Sequence, residues 1–149
     1  MSDLADKLTD QLVRDEGAVV RSGKHVVYQD HLGYWTLGYG RLVDRVRGGG
    51  ISEEEASYLL NNDIQSRIKA LSARLPFFSD LDEARQGVLV NMSFQLGVAG
   101  LLQFRRTLGR VAAGEYATAA SQMMKSKWAR QTPNRARRLS EQMRTGQWV

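Results

Sequence analysis

Two carboxylates and a threonine near the N-terminus have the residue types that acid–base chemistry requires. Glu16 stands in the segment RDEG at residues 14–17, and Asp30 and Thr36 lie in DHLGYWTLGYG at residues 30–40. Two carboxylates that face each other across a cleft suit glycoside hydrolysis. One, kept protonated by an apolar setting, donates a proton to the leaving oxygen, and the other handles water or the developing cation. A structural interpretation is also open, in which Asp30 begins a hairpin turn and Thr36 is an ordinary strand residue.

Helical phase alone does not decide which acidic residue of RDEG would be the acid. At about 100° per residue, both Asp15 and Glu16 fall near the apolar side of the preceding segment. Glu16 is followed by Gly17, which would let backbone or ligand approach closely.

The elements that must position these residues follow from periodicity. Leucines recur at i, i+4 and i+8 from Leu4, so an amphipathic helix should end near Gly17. Residues 24–42 are rich in β-branched and aromatic residues, which predicts a β-hairpin with room for a third short strand. The segment RVRGGG at 45–50 then breaks the pattern as a loop.

A long helix should follow this loop. Ser52 and Glu55 match the S-x-x-E capping box, and apolar residues continue at helical spacing until Pro76. About 23 helical residues would extend about 34 Å, the width of a small domain, so this helix could join two lobes.

Shorter helices are predicted for the rest of the chain. The first of these helices should be capped by Asp80 with Glu83 and should stop at Gly97. Its inward face should carry Ala84, Val88 and Met92. Two more are expected around 101–112 and 115–128. The final helix has Thr132 as N-cap, Pro133 in its first turn and Gly146 beyond its end.

These elements predict one mostly helical α+β domain over residues 1–149. A small β-rich lobe should occupy about 17–50, and a larger helical lobe should occupy about 65–149 and include the N-terminal helix. This length suffices for a substantial core without disulfides.

Composition restricts the possible partners and sites. With no cysteine and only two histidines, the chain offers no thiolate or histidine metal site, and we expect no cofactor. The net charge of +5 and the pI near 9.8 favour a polyanionic partner. The first residues carry no apolar signal-peptide core, and no apolar run is long enough for a bilayer, so we expect synthesis in the cytoplasm and no stable membrane insertion.

Four separated blocks occur in an order that resembles a known family. They are RDEG with YQDHLGYWTLGYGRL, then ISEEEASYLLNNDI, VLVNMSFQLGVAGLLQF and KSKWARQTPNRARRLSEQMRTGQW. Together they resemble the T-even phage lysozyme family, the phage-type muramidases of glycoside hydrolase family 24, over residues from about 8 to 148. The resemblance implies a lysozyme-like fold.

The same resemblance implies roles for individual residues. Glu16 would be the general acid, Asp30 would orient water or stabilise the oxocarbenium-like transition state, and the Thr36 hydroxyl would hold the attacking water. Inverting hydrolysis requires carboxyl groups roughly 6.5–9.5 Å apart. The implied substrate-binding residues are Leu42, Phe94, Gln95, Thr107, Lys127 and Arg135. Phe94 could equally be a core residue.

Arg135 matches an arginine that packs against the catalytic glutamate in the family. A guanidinium there would favour the ionised form of Glu16 and lower its pKa. Burial and bound substrate would then have to restore the acid form.

The family implies a biological setting as well. The enzyme would be a monomeric endolysin without a cofactor, cleaving the bond between N-acetylmuramic acid and N-acetylglucosamine in peptidoglycan. It would wait in the host cytoplasm until a holin-type pore releases it to the cell wall, where its bacteriolytic action completes host lysis.

Two departures from the family pattern stand out. Thirteen residues separate Glu16 from Asp30, whereas the family usually has a shorter connection, so the extra residues around Arg21–His25 should form a longer loop. Arg41 stands where the T-even enzyme has histidine, and we expect it to form a structural ion pair with Asp63 on the long helix.

Other functions remain open at this stage. A lytic transglycosylase would cleave the same bond with one acid/base glutamate and no water, although Asp30 and Thr36 together favour hydrolysis. The cationic C-terminal region, which includes Arg137 and Arg138, could instead serve a nucleic-acid- or membrane-binding protein. No RNA- or DNA-binding motif accompanies it, so we expect no nucleic acid.

Overall fold

The computed structural model describes residues 3–44 and 49–149. It forms two compact units, Met1–Ser57 and Tyr58–Val149. The helices and the small antiparallel sheets within these units confirm the predicted α+β, mostly helical class. Most of the predicted loop at 45–50 lies outside the described residues.

The first unit begins with helix α1, Asp3–Glu16. It ends where predicted, because Gly17 adopts a φ of 64° and its amide donates to the Val13 carbonyl at 3.2 Å. A left-handed residue directly after the last turn is a common helix stop, and glycine adopts it without steric cost.

A two-stranded hairpin follows, formed by β1, Val20–Arg21, and β2, Lys24–His25. The strands are joined by Ser22 and Gly23, which both have positive φ angles of 51° and 74°. Two central residues of this kind form the type I′ geometry that matches the natural twist of paired strands. The longer loop predicted for these extra residues is therefore wrong, since they form a closed hairpin.

A three-stranded antiparallel sheet completes the first unit in the order β3–β4–β5. Its strands are Tyr28–Gln29, Trp35–Leu37 and Arg41–Asp44. Within it, Thr36 pairs with Tyr28 on one side and Leu42 on the other. The predicted third strand is thus present, while the segment 24–42, predicted as one hairpin, is divided between two sheets.

Helix α2 covers Glu53–Arg74, close to the predicted length. The capping box at its start is confirmed. The Glu55 amide donates to Ser52 Oγ at 3.2 Å, and the Ser52 amide donates to Glu55 Oε2 at 2.9 Å.

The second unit is helical over its described length. After a 3₁₀ turn at Phe78–Asp80 come five helices: α3, Glu83–Leu102; α4, Arg105–Ala112; α5, Tyr116–Met124; α6, Lys127–Gln131; and α7, Pro133–Thr145. As predicted, Gly146 follows the last helix in the left-handed conformation, with a φ of 71°.

Several predicted helix boundaries in this unit differ from the structure. The one helix predicted around 115–128 is divided into α5 and α6. The N-cap of α3 is Asp82, which accepts from the Arg85 amide, while Asp80 belongs to the preceding 3₁₀ turn. Gly97, with a φ of 72°, interrupts α3, but helical structure resumes and continues to Leu102. A glycine can therefore bend a helical segment without ending it.

The core of the second unit is apolar and closely packed. Leu71, Val88, Met123, Ala136 and Met143 are all fully buried. No single helix in the described ranges has the length and apolarity needed to cross a bilayer; α3 and α4 reach them only as a pair, bent by 98°.

Candidate active site

Glu16 is the last residue of α1, and its carboxyl group lies against the turn between β4 and β5. A Cβ atom at residue 40 would lie 2.5 Å from Glu16 Oε2 and 3.1 Å from its Cδ. Gly40 is therefore the residue that leaves room for this carboxyl group. Asp15, the other candidate acid, instead forms an exposed ion pair with Arg14 at 3.3 Å. This geometry separates two residues that helical phase could not distinguish.

Asp30 initiates the turn between β3 and β4. Its Oδ1 accepts hydrogen bonds from the amides of Leu32 and Tyr34, both at 2.9 Å. Such side-chain-to-backbone bonds are typical of Asx turns. The structural interpretation of Asp30 is thus confirmed. Both bonds fall on Oδ1, and within residues 3–44 and 49–149 no donor contacts Oδ2. This second carboxylate oxygen can therefore accept a hydrogen bond from water.

Thr36 is buried in β4, with 4% of its surface exposed. Its hydroxyl donates to the Tyr34 carbonyl at 3.2 Å. Since this bond uses the hydroxyl proton, the free lone-pair capacity of Oγ1 can accept a hydrogen bond from water.

The backbone of Tyr34 connects the two predicted polar residues. Its amide donates to the Asp30 carboxylate, and its carbonyl accepts from both the Asp30 amide, at 2.9 Å, and the Thr36 hydroxyl. The spacing of Asp30 and Thr36 therefore allows the backbone of one residue, Tyr34, to contact both side chains. Sequence reasoning missed Tyr34 because its contribution comes from backbone atoms.

Arg41 forms an ion pair different from the predicted one. Its Nη2 lies 2.6 Å from Glu55 Oε1, not beside Asp63. Hydrogen bonds from Ser52 and the charge of Arg41 hold the pKa of Glu55 below its usual range. Arg41 therefore stabilises the start of α2, a structural role as expected, through a different carboxylate.

The predicted substrate-binding residues fall in both units. Leu42 is partly exposed in β5 of the first unit. In the second unit, a groove of about 580 Å³ includes Phe94 and Arg135 in its wall. Phe94 is half-buried and lies 5.6 Å beneath the Arg67 guanidinium. Arg135 donates to Asn91 Oδ1 at 2.6 and 2.8 Å; a contact with Glu16 stays a prediction.

Three further candidates, Gln95, Thr107 and Lys127, do not line this groove. Gln95 is exposed as a residue, but its Oε1 accepts from Trp128 Nε1 at 2.8 Å. Lys127 is exposed beside Trp128 in a second depression of about 430 Å³. Thr107 is buried, with 6% exposed. Their substrate contacts stay predictions.

Groups of three or more potential metal ligands are absent from residues 3–44 and 49–149.

Comparisons with known proteins place this sequence in a family. A sequence model of the phage lysozyme family matches residues 20–143, a range that contains Asp30 and Thr36 and begins just after Glu16. Probable T4-type lysozymes 1 and 2 of Dictyostelium discoideum are 27% and 25% identical to the chain, and each alignment covers 96% of both partners.

A third relative is much longer than this chain. The pre-baseplate central spike protein Gp5 of Enterobacteria phage T4 is 31% identical over 93% of the chain, which corresponds to 28% of Gp5. Because the family match extends over most of the sequence, the protein belongs to the phage lysozyme family, and this membership supports a peptidoglycan-degrading lysozyme activity.

Proposed function

We propose that the protein hydrolyses the β-1,4 bond between N-acetylmuramic acid and N-acetylglucosamine in peptidoglycan, with inversion at the anomeric carbon. The observation that carries the proposal is that the Tyr34 backbone hydrogen-bonds both side chains, with its amide on the Asp30 carboxylate and its carbonyl on the Thr36 hydroxyl. Family membership adds the substrate class.

In the proposed reaction, Glu16 protonates the glycosidic oxygen as the bond from this oxygen to the anomeric carbon breaks. A water molecule attacks the opposite face of the sugar. The Thr36 hydroxyl accepts a hydrogen bond from this water, and the free oxygen of Asp30 orients it and accepts its proton. Atoms and charge balance, because the proton given by Glu16 is matched by the proton taken by Asp30.

The acid role of Glu16 requires its neutral form when substrate is bound. In this structure Glu16 is exposed to solvent. We infer that a bound glycan chain would cover the carboxyl group and disfavour its charged form by desolvation. The contact with Gly40 leaves the carboxyl group without a neighbouring side chain at that point.

We infer that the substrate-binding set, including Phe94, Gln95, Lys127 and Arg135, contacts the glycan or its peptide stems. The net charge of +5 favours the carboxylate-bearing wall. We further propose that a monomeric enzyme accumulates in the host cytoplasm and acts on the wall after release through a holin-type pore, which leads to host lysis.

Digestion of purified peptidoglycan tests the proposed activity. The wild-type protein should release reducing muramic-acid ends, and Glu16→Gln should lower that rate by about 10²-fold or more, since it removes the general acid. Asp15→Asn is the matched control and should retain activity. Equal loss in both variants, or no product from the wild type, would contradict the proposal.

A further inference from the structure

The hairpin β1–β2 lies in the connection between Glu16 and Asp30. Two residues per strand are too few for independent stability, because an isolated hairpin is marginal even when longer. A hydrogen bond from the Val26 amide to the Val19 carbonyl, at 3.0 Å, extends the pairing by one step. The hairpin therefore needs a tertiary contact to hold its position.

That contact is an aromatic pair. The His25 ring lies 4.8 Å from the Tyr39 ring, centroid to centroid, at an interplanar angle of 70°. Edge-to-face geometry of this kind is favourable for aromatic rings. In the register of the hairpin, His25 pairs with Val20, while Arg21 pairs with Lys24. Because side chains alternate between faces, the two cationic residues lie on the face opposite to His25.

Tyr39 occupies the centre of the turn that contacts Glu16. It is flanked by Gly38 and Gly40, whose φ angles are 64° and 74°. A turn with two glycines has little conformational restraint of its own. Within the described ranges, His25 is the ring partner of Tyr39. The neighbouring Gly40 is the residue against which the Glu16 carboxyl group lies.

We propose that His25 is a positioning residue for the reaction, acting through Tyr39 and Gly40 on Glu16. The contact between His25 and Tyr39 restrains the Gly38–Gly40 turn, and the turn holds the carboxyl group of Glu16 in position. This inference rests on the proposed role of Glu16, but the restraint of the turn by His25 can be tested without substrate.

Three variants distinguish the contact between His25 and Tyr39 from other effects of the hairpin. His25→Ala removes the ring, His25→Phe keeps a ring of similar size, and Lys24→Ala changes the neighbouring residue on the other face. The first measurement is the backbone ¹⁵N order parameter at residues 38–40, which is near 0.85 for rigid backbone and below about 0.6 for flexible backbone.

We expect His25→Ala to lower the order parameters of the turn toward the flexible range, with the other two variants unchanged. On peptidoglycan fragments, His25→Ala should lower kcat by about three- to tenfold with KM unchanged, and His25→Phe should restore it. Unchanged order parameters in His25→Ala, or equal effects of His25→Ala and Lys24→Ala, would overturn the proposal. An inactive wild-type protein would contradict the proposed function instead. The order parameters would still show whether His25 restrains the turn.

Discussion

The carboxyl group of Glu16 lies against the bare Cα of Gly40, so that a Cβ atom at residue 40 would come within 2.5 Å of Oε2. Real Cβ atoms do not approach an oxygen this closely. The acid at the end of α1 and the turn between β4 and β5 are therefore fitted to each other, although 24 positions separate them in sequence.

Gly40→Ala should displace this carboxyl group and lower kcat by about 10- to 100-fold, because small misplacements of a catalytic group have effects of this size. Gly38→Ala is the matched control. Both glycines have positive φ angles, so both substitutions strain the backbone, but a Cβ at residue 38 would meet no atom within 4 Å. Steady-state kinetics on peptidoglycan fragments measure the difference. Similar kcat values in the two variants would show that backbone strain, not the contact with Glu16, determines the effect.

Asp30→Asn separates the turn-forming role of Asp30 from its charge. The asparagine oxygen can still accept from the Leu32 and Tyr34 amides, so stability to urea should change by no more than about 0.5 kcal/mol. Activity should fall by about 10²-fold or more, because the amide cannot take a proton from water. Asp30→Ala should lose both properties. An active Asp30→Asn enzyme would leave Asp30 with only its structural role.

Thr36→Val tests the hydroxyl at a buried position. Valine keeps the branched shape and suits a strand, but it removes the bond to the Tyr34 carbonyl and the acceptor for water. We expect kcat to fall about 10- to 100-fold, and Thr36→Ser to recover most of it. If serine were as impaired as valine, side-chain packing would explain the loss, and the hydroxyl would have no part in catalysis.

Asp82 should contribute to stability as both a helix cap and a charge. Asp82→Ala should lower the free energy of unfolding by about 1 kcal/mol at neutral pH, whereas Asp80→Ala should leave the cap of α3 intact. Although burial opposes ionisation, the hydrogen bonds from Arg85 outweigh it and hold the pKa of Asp82 below its usual range.

The charge of Asp82 can be isolated with Asp82→Asn, which retains a capping side chain. A lowered pKa means that the charge stabilises the fold fully above the ordinary carboxyl pKa and that this contribution is lost as the pH falls through the lowered value. The difference in unfolding free energy between the wild type and Asp82→Asn should therefore shrink in strong acid. Urea titrations across that range measure it, and a difference independent of pH would contradict the assigned charge effect.

Local features were predicted best, because the residues that form them are neighbours in sequence. The Ser52–Glu55 capping box and the left-handed Gly146 each depend on a few consecutive positions. The Ser22–Gly23 pair carried a usable signal as well, since Ser-Gly marks turns and two turn residues between short strands indicate a hairpin.

Contacts between distant segments could not be derived in the same way. Asp63 and Glu55 are both acidic residues of α2, and spacing alone does not show which one β5 brings Arg41 toward. The contact of Glu16 with Gly40 and the link through the Tyr34 backbone depend on how α1, the turns and the strands fold together. The resemblance to a family supplied the roles of these residues, and the structure adds the contacts that orient them.

We propose that the protein hydrolyses peptidoglycan with Glu16 as the acid. The most direct measurement is mass spectrometry of products from purified peptidoglycan digested in water enriched in heavy oxygen, with Glu16→Gln alongside. We predict reducing muramic-acid ends that carry the label, and their loss in the variant. Unlabelled anhydro-muramic ends would contradict hydrolysis, assign the protein as a transglycosylase and remove the proposed water-handling roles of Asp30 and Thr36.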